Sequence, residues 1–412
     1  MSRILMTWEF GAGLGHLNRM LPVAARLRET GHELVLAVPS PDAARQLIAA
    51  GLGLSAPPDR LPAVRVTASP HWPGPTDPAA RKVPTHTLAD VLKLFGYHDI
   101  ERLSAMAERW DQLVGEIRPD LIVADFCPTL SLALAERLPL VCLGNGYTVP
   151  PPDRLLPPIR PWERAPPPFS RANESMLLRA INGVRARRGN RSVEFFADLF
   201  SGQRTFICTI PEFDPYAAFR DSPTLVPFNI ALLAPGPPAA SRTADHVFVY
   251  LPNNHPLLTA TFAAISSLKL QADVYVKDPP RGLASGDRMR LHAQPLDLAD
   301  ILPRIRLIVH HAGLATAYAA AMAGTPQFAL PLNLEHAVTA RGLARLCGAA
   351  TRQATVPATP DELERQIAAL LVAPALHGAA DQAARVLALR PRGDGVSDVV
   401  KGCAALLTSG VS

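Results

Sequence analysis

The chain has 412 residues and a net charge of +5, with 48% hydrophobic and 19% charged residues, a composition typical of globular proteins. A single hydrophobic core stops growing at about 250–300 residues, so this length predicts two domains. No apolar stretch reaches the ~20 residues of a membrane-spanning helix, and the apolar start at residues 4–8 is shorter than the ~7–15-residue core of a secretory signal. These observations exclude a transmembrane protein and favour the cytoplasm.

The charged residues and the cysteines narrow the classes of partner. Basic residues are scattered along the chain and form no single stripe with interleaved aromatic residues, so we expect a small anionic substrate and no nucleic acid. The five cysteines are odd in number and widely spaced, which predicts neither a disulfide framework nor a zinc site.

A strand, a glycine-rich turn and a helix open the chain. Residues 3–7 form an apolar run, three glycines follow between residues 11 and 15, and an apolar helix face then continues to Gly31. A second strand is predicted over residues 34–38, followed by a helix that begins at Pro41. Alternating strands and helices of this kind predict a parallel α/β sheet.

The pattern continues with a long helix over residues 87–117 and strands over residues 121–124 and 140–143. These strands are apolar runs without alternation, as expected when helices cover both faces of the sheet. Residues 150–168 are rich in proline and read as a loop.

A helical stretch after this loop carries a set of arginines. The arginine set consists of Arg179, Arg185, Arg187, Arg188 and Arg191. A solvated basic face is one interpretation, and a flap over an anionic or membrane-associated acceptor is the other.

Residues 234–243 have the composition of an interdomain linker, which gives an N-terminal domain over residues 1–233. The strand and helix pattern then restarts. Strands are predicted over residues 247–251, 274–276, 290–292, 307–310 and 328–330. Thr359 and Glu362 form a capping box at the start of a later helix. The two halves resemble two similar doubly wound units, which would hold a ligand in the cleft between the carboxyl ends of their strands.

The first candidate site lies at the glycine-rich turn, where ligands bind in an open parallel sheet. The spacing there is G-x-G-x-G and no acidic residue ends the second strand, so a dinucleotide is disfavoured. His16 begins the helix, and Asp125 directly follows a buried strand, so both fall at one sheet edge. His16 can be a capping or core residue, but a carboxylate beside it would fix its tautomer and stabilise the imidazolium of a general base.

The second candidate site is the sequence HHAGLAT at residues 310–316, again a strand running through small residues into a helix. Backbone amides at a helix start form an anion site suited to a diphosphate. His311 and Thr316 can add side-chain donors, whereas a purely structural pair of buried histidines is the alternative.

With these sites placed, the chain resembles the GT-B glycosyltransferases of family one, which have two Rossmann-like doubly wound domains facing across a cleft. The likeness is greatest to the bacterial natural-product branch that decorates macrolides and glycopeptides. It is carried by residues 11–27, 118–147, 247–256 and 307–349. The last stretch is the most specific, because it is similar to the donor motif of His-Gly-Gly, then Gly-x-Pro-Gln, then an acidic-polar pair.

The resemblance implies an inverting, metal-independent enzyme that needs no cofactor beyond its co-substrate, a UDP-sugar or dTDP-sugar. It implies that His16 deprotonates a hydroxyl of a small, mostly apolar acceptor and that Asp125 orients His16. The donor-binding residues that it implies are His311, Gly313, Thr316, Asn253, Asn254, Glu335 and His336. Residues 244–390 would form the donor domain, and residues 391–412 a C-terminal helix that returns toward the N-terminal domain.

Three departures from the family pattern matter. Ala312 replaces the first glycine of the His-Gly-Gly motif. Glu335 and His336 stand where many members have an Asp-Gln pair that contacts sugar hydroxyls. Ala319 stands where many members bind the ribose with a glutamate, so UDP and dTDP are both compatible.

Two alternatives to this function remain at the level of the sequence. One is a membrane-associated transferase with a lipid acceptor, for which the arginine set would be a peripheral docking patch. The other is a non-catalytic accessory protein that keeps the fold, favoured by the altered donor positions and opposed by His16 and Asp125.

Overall fold

The computed structural model describes residues 1–11, 14–49, 64–74, 83–228, 242–281, 283, 286–391 and 393–409. The chain divides into two compact units. The N-terminal unit comprises Met1–Ile210, Asp214–Asn229 and Gly393–Ser412, and the C-terminal unit comprises Pro211–Phe213 and Ile230–Arg392. The predicted linker over residues 234–243 lies outside the described residues as far as position 241.

The N-terminal unit contains a six-stranded sheet. Its strands are β1 (Arg3–Trp8), β2 (Glu33–Val38), β3 (Arg65–Ala68), β4 (Leu121–Asp125), β5 (Leu140–Gly144) and β6 (Arg204–Ile207). Its helices are α1 (Leu14–Glu29), α2 (Pro41–Ala49), α3 (Leu88–Leu94), α4 (Ile100–Ile117), α5 (Pro128–Leu134) and α6 (Pro168–Arg187). The order is β3-β2-β1-β4-β5-β6 and every neighbouring pair is parallel. The strand order reverses between β1 and β4, so their carboxyl ends border the crevice where doubly wound sheets bind ligands.

The N-terminal unit differs from the sequence prediction at one long helix. The helix predicted over residues 87–117 is two helices, because α3 ends before Gly96, which has a φ of +85°, and Asp99 caps the start of α4. The Asp99 carboxylate accepts the backbone N–H groups of Glu101 and Arg102. A glycine with positive φ followed by an acidic N-cap is a strong helix break, and the prediction for this segment was wrong.

The C-terminal unit contains the second six-stranded sheet. Its strands are β7 (His246–Tyr250), β8 (Gln271–Tyr275), β9 (Met289–His292), β10 (Leu307–His310), β11 (Gln327–Ala329) and β12 (Ala350–Thr351). Its helices are α7 (Leu258–Ser267), α8 (Leu298–Ile301), α9 (Leu314–Met322), α10 (Leu334–Cys347), α11 (Pro360–Val372) and α12 (Pro374–Ala388). The order is β12-β11-β10-β7-β8-β9, again parallel throughout, with its reversal between β7 and β10. The capping box at Thr359 and Glu362 is confirmed at the start of α11.

The last helix, α13 (Gly395–Ser409), belongs to the N-terminal unit and contacts α1 and β4. Val399 and Cys403 on this helix are fully buried. Gly402 lies against Phe206 on β6, since a Cβ at position 402 would come within 2.6 Å of the Phe206 ring. The unit is therefore discontinuous in sequence.

Most of the arginine set is compensated within the N-terminal unit. Three members form ion pairs: Arg185 with Glu136, Arg187 with Glu101 and Arg188 with Asp111. Arg185 is also buried and donates to the Leu132 carbonyl at 3.0 Å. The interpretation of the set as an open basic flap loses its support.

Over the described ranges, no single helix has both the length and the apolar composition to cross a membrane, and one pair, Pro360–Val372 with Pro374–Ala388, passes that test only across a 60° bend.

Candidate active site

The predicted pair of the N-terminal unit is brought together at the β1/β4 reversal. Asp125 ends β4 in register with Trp8 at the end of β1, and His16 lies in the first turn of α1. His16 Nδ1 is 3.1 Å from Asp125 Oδ2. The contact is close without being aligned as a hydrogen bond, an arrangement common in unliganded active sites.

The Asp125 carboxylate has a second cationic neighbour that the sequence patterns did not indicate. Arg19 Nε donates to Asp125 Oδ2 at 2.9 Å, and Arg19 Nη2 forms an ion pair with the same oxygen at 2.7 Å. Burial opposes ionisation of Asp125, but the Arg19 and His16 charges outweigh it and hold the pKa of this carboxyl below its usual range. Arg19 is three residues after His16 on α1, so helical spacing could have revealed it.

Trp8 and Gly11 set the position of the His16 ring. The Trp8 and His16 rings stack with centroids 5.5 Å apart and an interplanar angle of 11°. Gly11 has a φ of +88°, and a Cβ there would lie 2.8 Å from His16 Nε2. A glycine is therefore needed at position 11, because the His16 ring approaches the backbone too closely for any side chain there.

Glu9 is a buried acid near this edge that the sequence patterns also did not indicate. Its carboxyl accepts the Trp72 indole N–H at 2.8 Å and the Thr129 backbone N–H at 3.1 Å, and it contacts the Thr129 hydroxyl. Burial raises the pKa of Glu9 to about 8. Glu9 therefore ties the end of β1 to the start of α5, and aromatic rings of Phe10 and Tyr97 pack on Trp72.

In the C-terminal unit, His311 directly follows β10 and Gly313 is the N-cap of α9. A Cβ on Gly313 would lie 3.0 Å from His311 Nε2, so a glycine is needed for this close approach. Thr316 lies in the first turn of α9 and is largely buried. Ala319, one turn further on, is completely buried.

His311 and His336 are in direct contact, with ring centroids 4.7 Å apart. Burial lowers the pKa of His311 to about 3, and His336 adds to the shift. Burial also lowers the pKa of His336 to about 4 and that of His310 to about 3. All three imidazoles are therefore neutral at neutral pH. His311 Nδ1 is 3.3 Å from the Tyr250 carbonyl oxygen.

The other predicted donor residues lie in the loop after β7 and in the first turn of α10. Asn253 and Asn254 are exposed in the loop after β7, where the Asn253 amide donates to the Asp278 carbonyl at 3.2 Å. Glu335 and His336 lie in the first turn of α10, whose N-cap Asn333 accepts the His336 N–H at 2.9 Å. A residue that no sequence motif singled out, His255, joins this loop to the end of β11 through the Leu330 carbonyl at 3.0 Å.

A separate cavity of about 1420 Å³ lies in the C-terminal unit, lined by residues such as His246, Asp273 and His292. None of the predicted site residues lines it. Across the described part of the chain, no group of three or more His, Cys, Asp or Glu side chains is arranged to hold a metal ion. All five cysteines are free and buried.

Comparison with known proteins identifies this architecture. Residues 283–406 match the family described as erythromycin biosynthesis protein CIII-like, C-terminal domain. The L-demethylnoviosyl transferase of Streptomyces niveus is 26% identical over 87% of this chain and 86% of its own length. The elloramycin glycosyltransferase ElmGT of Streptomyces olivaceus is 27% identical over 92% of both chains.

The solved structure of the spinosyn rhamnosyltransferase SpnG complexed with thymidine diphosphate superposes with a TM-score of 0.62 at 19% identity, covering 97% of this chain and 99% of that chain. Its fold is GT-B, and both doubly wound sheets described above agree with it. The chain is therefore a GT-B glycosyltransferase similar to bacterial natural-product enzymes, and the likeness of its residues 283–406 is to the erythromycin biosynthesis protein CIII-like, C-terminal domain.

Proposed function

We propose that this enzyme transfers a sugar from UDP or dTDP to a hydroxyl of a small, mostly apolar natural product, with inversion at the anomeric carbon and without a metal ion. His16 Nε2 takes the proton of the acceptor hydroxyl. The resulting oxygen nucleophile displaces the nucleoside diphosphate in one step. Asp125 orients the His16 ring and stabilises the imidazolium that forms.

The approach of His16 Nδ1 to the buried Asp125 carboxylate carries this proposal. A carboxylate on one side of the ring leaves the opposite nitrogen, Nε2, to accept a proton. An acceptor hydroxyl bound within about 2.6–3.2 Å of Nε2 would be in reach of this base.

The start of α9 supports the donor half of the proposal. The first N–H groups of a helix lack partners within the helix, and its dipole favours an anion there. Gly313, His311 and Thr316 lie at this start, so a diphosphate bound there would receive backbone and side-chain hydrogen bonds. These amides would stabilise the leaving diphosphate where other enzymes use a cation.

The residues around this anion site would select the sugar and the nucleotide. Glu335 and His336 would contact sugar hydroxyls, and Asn253 and Asn254 would face the phosphates. One relative named above is an L-demethylnoviosyl transferase and the other is an elloramycin glycosyltransferase, which supports a natural-product acceptor. The spinosyn rhamnosyltransferase was solved with thymidine diphosphate, which supports a nucleoside-diphosphate donor.

The test combines donor binding with turnover in the purified full chain. UDP and dTDP are titrated by calorimetry, and nucleotide release from UDP- and dTDP-sugars is measured with a panel of hydroxylated aglycones, with and without EDTA. Proton NMR of the product gives the anomeric configuration. We expect that His16→Ala lowers turnover by about 10²–10⁴-fold, because a general base is lost, while nucleotide affinity stays within about twofold of the parent.

His98→Ala is the matched control, because His98 is an exposed histidine of the same unit. It should retain parental turnover. Parental turnover in His16→Ala with an aliphatic alcohol acceptor would refute the base assignment, and loss of activity in EDTA that Mg²⁺ restores would refute metal independence.

A further inference from the structure

The Asp125 carboxylate is shared between two cationic groups on one helix. Arg19 Nε donates to Oδ2 at 2.9 Å, Arg19 Nη2 lies 2.7 Å from that oxygen, and His16 Nδ1 approaches it at 3.1 Å. Asp125 is fully buried, and its other oxygen, Oδ1, has no hydrogen-bond partner among the described residues. Arg19 and His16 therefore both meet the carboxylate at Oδ2, and the aligned hydrogen bond to that oxygen comes from Arg19.

This sharing changes the electrostatics of a histidine–aspartate pair. A neutral imidazole beside a lone carboxylate has a net charge of −1, so protonation of the ring neutralises the site. With the guanidinium of Arg19 in the same contact, the resting site is already neutral and protonation of His16 leaves it positive. Like charges within about 4–6 Å disfavour the charged form, most strongly where side chains are buried as Arg19 and His16 largely are.

The other titratable groups that face Asp125 stay neutral. Cys142 lies on β5 and Cys208 follows β6, and burial raises the pKa of both thiols to about 12. Burial raises the pKa of the Cys127 thiol further. Glu9 is directed at Trp72 and Thr129, and burial raises its pKa to about 8. The charge balance at His16 is therefore set by Asp125 and Arg19.

We propose that Arg19 is a positioning residue of the active site, which holds Asp125 as a carboxylate against His16 and counterbalances the charge of that carboxylate. The inference rests on the proposed role of His16 as the base. It assigns to α1 both the base and the group that tunes it, one helical turn apart.

The experiment compares Arg19→Met, Arg19→Lys and the parent as full-length chains. The first measurement is kcat for sugar transfer as a function of pH. The second follows the 12 histidines by NMR of imidazole-labelled protein, with His16 assigned by the signal that His16→Gln lacks. Arg26→Met is the matched control, because Arg26 lies on the same helix with its charge exposed and paired with Glu29.

In Arg19→Met we expect the acid limb of the kcat profile and the titration midpoint of the His16 signal to move up by about one to two pH units. Donor KM should be retained. Arg19→Lys should restore the parental limb, and Arg26→Met should leave it unchanged. The proposal would be overturned if Arg19→Met reduced turnover equally at every pH and left the acid limb of the kcat profile and the midpoint of the His16 signal unchanged. Arg19 would then be a purely structural residue.

The two measurements separate this proposal from the proposed function. If His16 is not the base, the kcat profile does not follow His16, but the NMR midpoint still reports whether Arg19 counterbalances Asp125. Should Arg19→Met fail to fold, Arg19→Gln removes the charge while keeping a hydrogen-bond donor, and the same upward shift is expected.

Discussion

At the scale of single residues, the proposed donor site contains a histidine whose proton position restricts what it can do. The Tyr250 carbonyl can only accept a hydrogen bond, so the contact at His311 Nδ1 places the proton of the neutral ring on that nitrogen. Nε2 then carries no proton and can only accept a hydrogen bond. His311 can therefore donate to a phosphate through Nε2 only after it takes up a proton.

This leads to a prediction on pH. Burial lowers the pKa of His311 to about 3 in the free protein, and a bound diphosphate would raise it. Binding of the diphosphate to the imidazolium takes up a proton, so affinity for UDP or dTDP falls with rising pH at any pH below the pKa of the complex, and this fall is sought between pH 7 and 9. Calorimetry in buffers of different ionisation enthalpy measures the proton uptake.

The control is His311→Gln, whose amide donates without titrating. Its nucleotide affinity should be independent of pH over the same range, where the nucleotide's terminal phosphate, with a pKa of about 6, is already ionised. A parental affinity that is equally flat between pH 7 and 9 would show that His311 does not bind the diphosphate as an imidazolium.

Some candidate residues could be placed from the sequence because they lie at the end of a strand. Asp125 is the last residue of β4, His311 directly follows β10, and parallel strands place their carboxyl ends at one edge. Arg19 and Glu9 were not found. Their partners are 106 and 120 residues away along the chain, so only the folded sheet shows that these charges are not solvated.

At the scale of elements, the buried strands were predicted, and of the edge strands β3, β6, β9 and β12 only β9 was. β4 and β5 are fully buried apolar runs and were recognised. β3 has the sequence RVTA and β6 the sequence RTFI, and these partly exposed edge strands contain no continuous apolar run. An edge strand is covered on fewer sides, so burial imposes little pattern on its sequence.

The turn between β1 and α1 gives a prediction at this scale. Gly11→Ala should lower turnover by about 10- to 10²-fold, because the new Cβ would lie 2.8 Å from His16 Nε2 and displace the ring. Nucleotide affinity should be retained. Initial rates and calorimetry on the same preparation measure both effects.

Gly31→Ala is a closely matched control for this prediction. Gly31 has a φ of +86°, nearly that of Gly11, but a Cβ at position 31 would meet no other side chain or backbone atom within 4 Å. Both variants carry the same backbone strain of roughly 1–2 kcal/mol, and only Gly11→Ala crowds the imidazole. Equal losses of turnover in the two variants would mean that strain alone explains the effect.

At the scale of the whole molecule, the N-terminal unit is completed by the far end of the chain. Helix α13 buries Val399 and Cys403 and lies against α1, so the unit has its full core only when Gly393–Ser412 is in place. In the sequence, only the family resemblance indicates such a return, because helical periodicity does not reveal which sheet a helix covers.

We predict that Gly402→Val lowers the melting temperature by several degrees. Its Cβ would lie 2.6 Å from the Phe206 ring, and overpacking of this kind costs about 1–3 kcal/mol. Ala404→Val, at an exposed position of the same helix, should change the melting temperature by less than about 2 °C. Scanning calorimetry measures both, and equal melting temperatures for the two variants would contradict the packing described for α13.

The return of α13 also has a consequence for synthesis on the ribosome. Helix α1 emerges early, but its partner helix is made only after the whole C-terminal unit has been translated, which takes about 10–30 s at typical elongation rates. During that interval the face of the nascent N-terminal unit that α13 will cover is open to water and to other chains. Chains that end before residue 393 therefore expose the apolar surface that Val399 and Cys403 cover, and residues 393–409 complete the folding of the N-terminal unit.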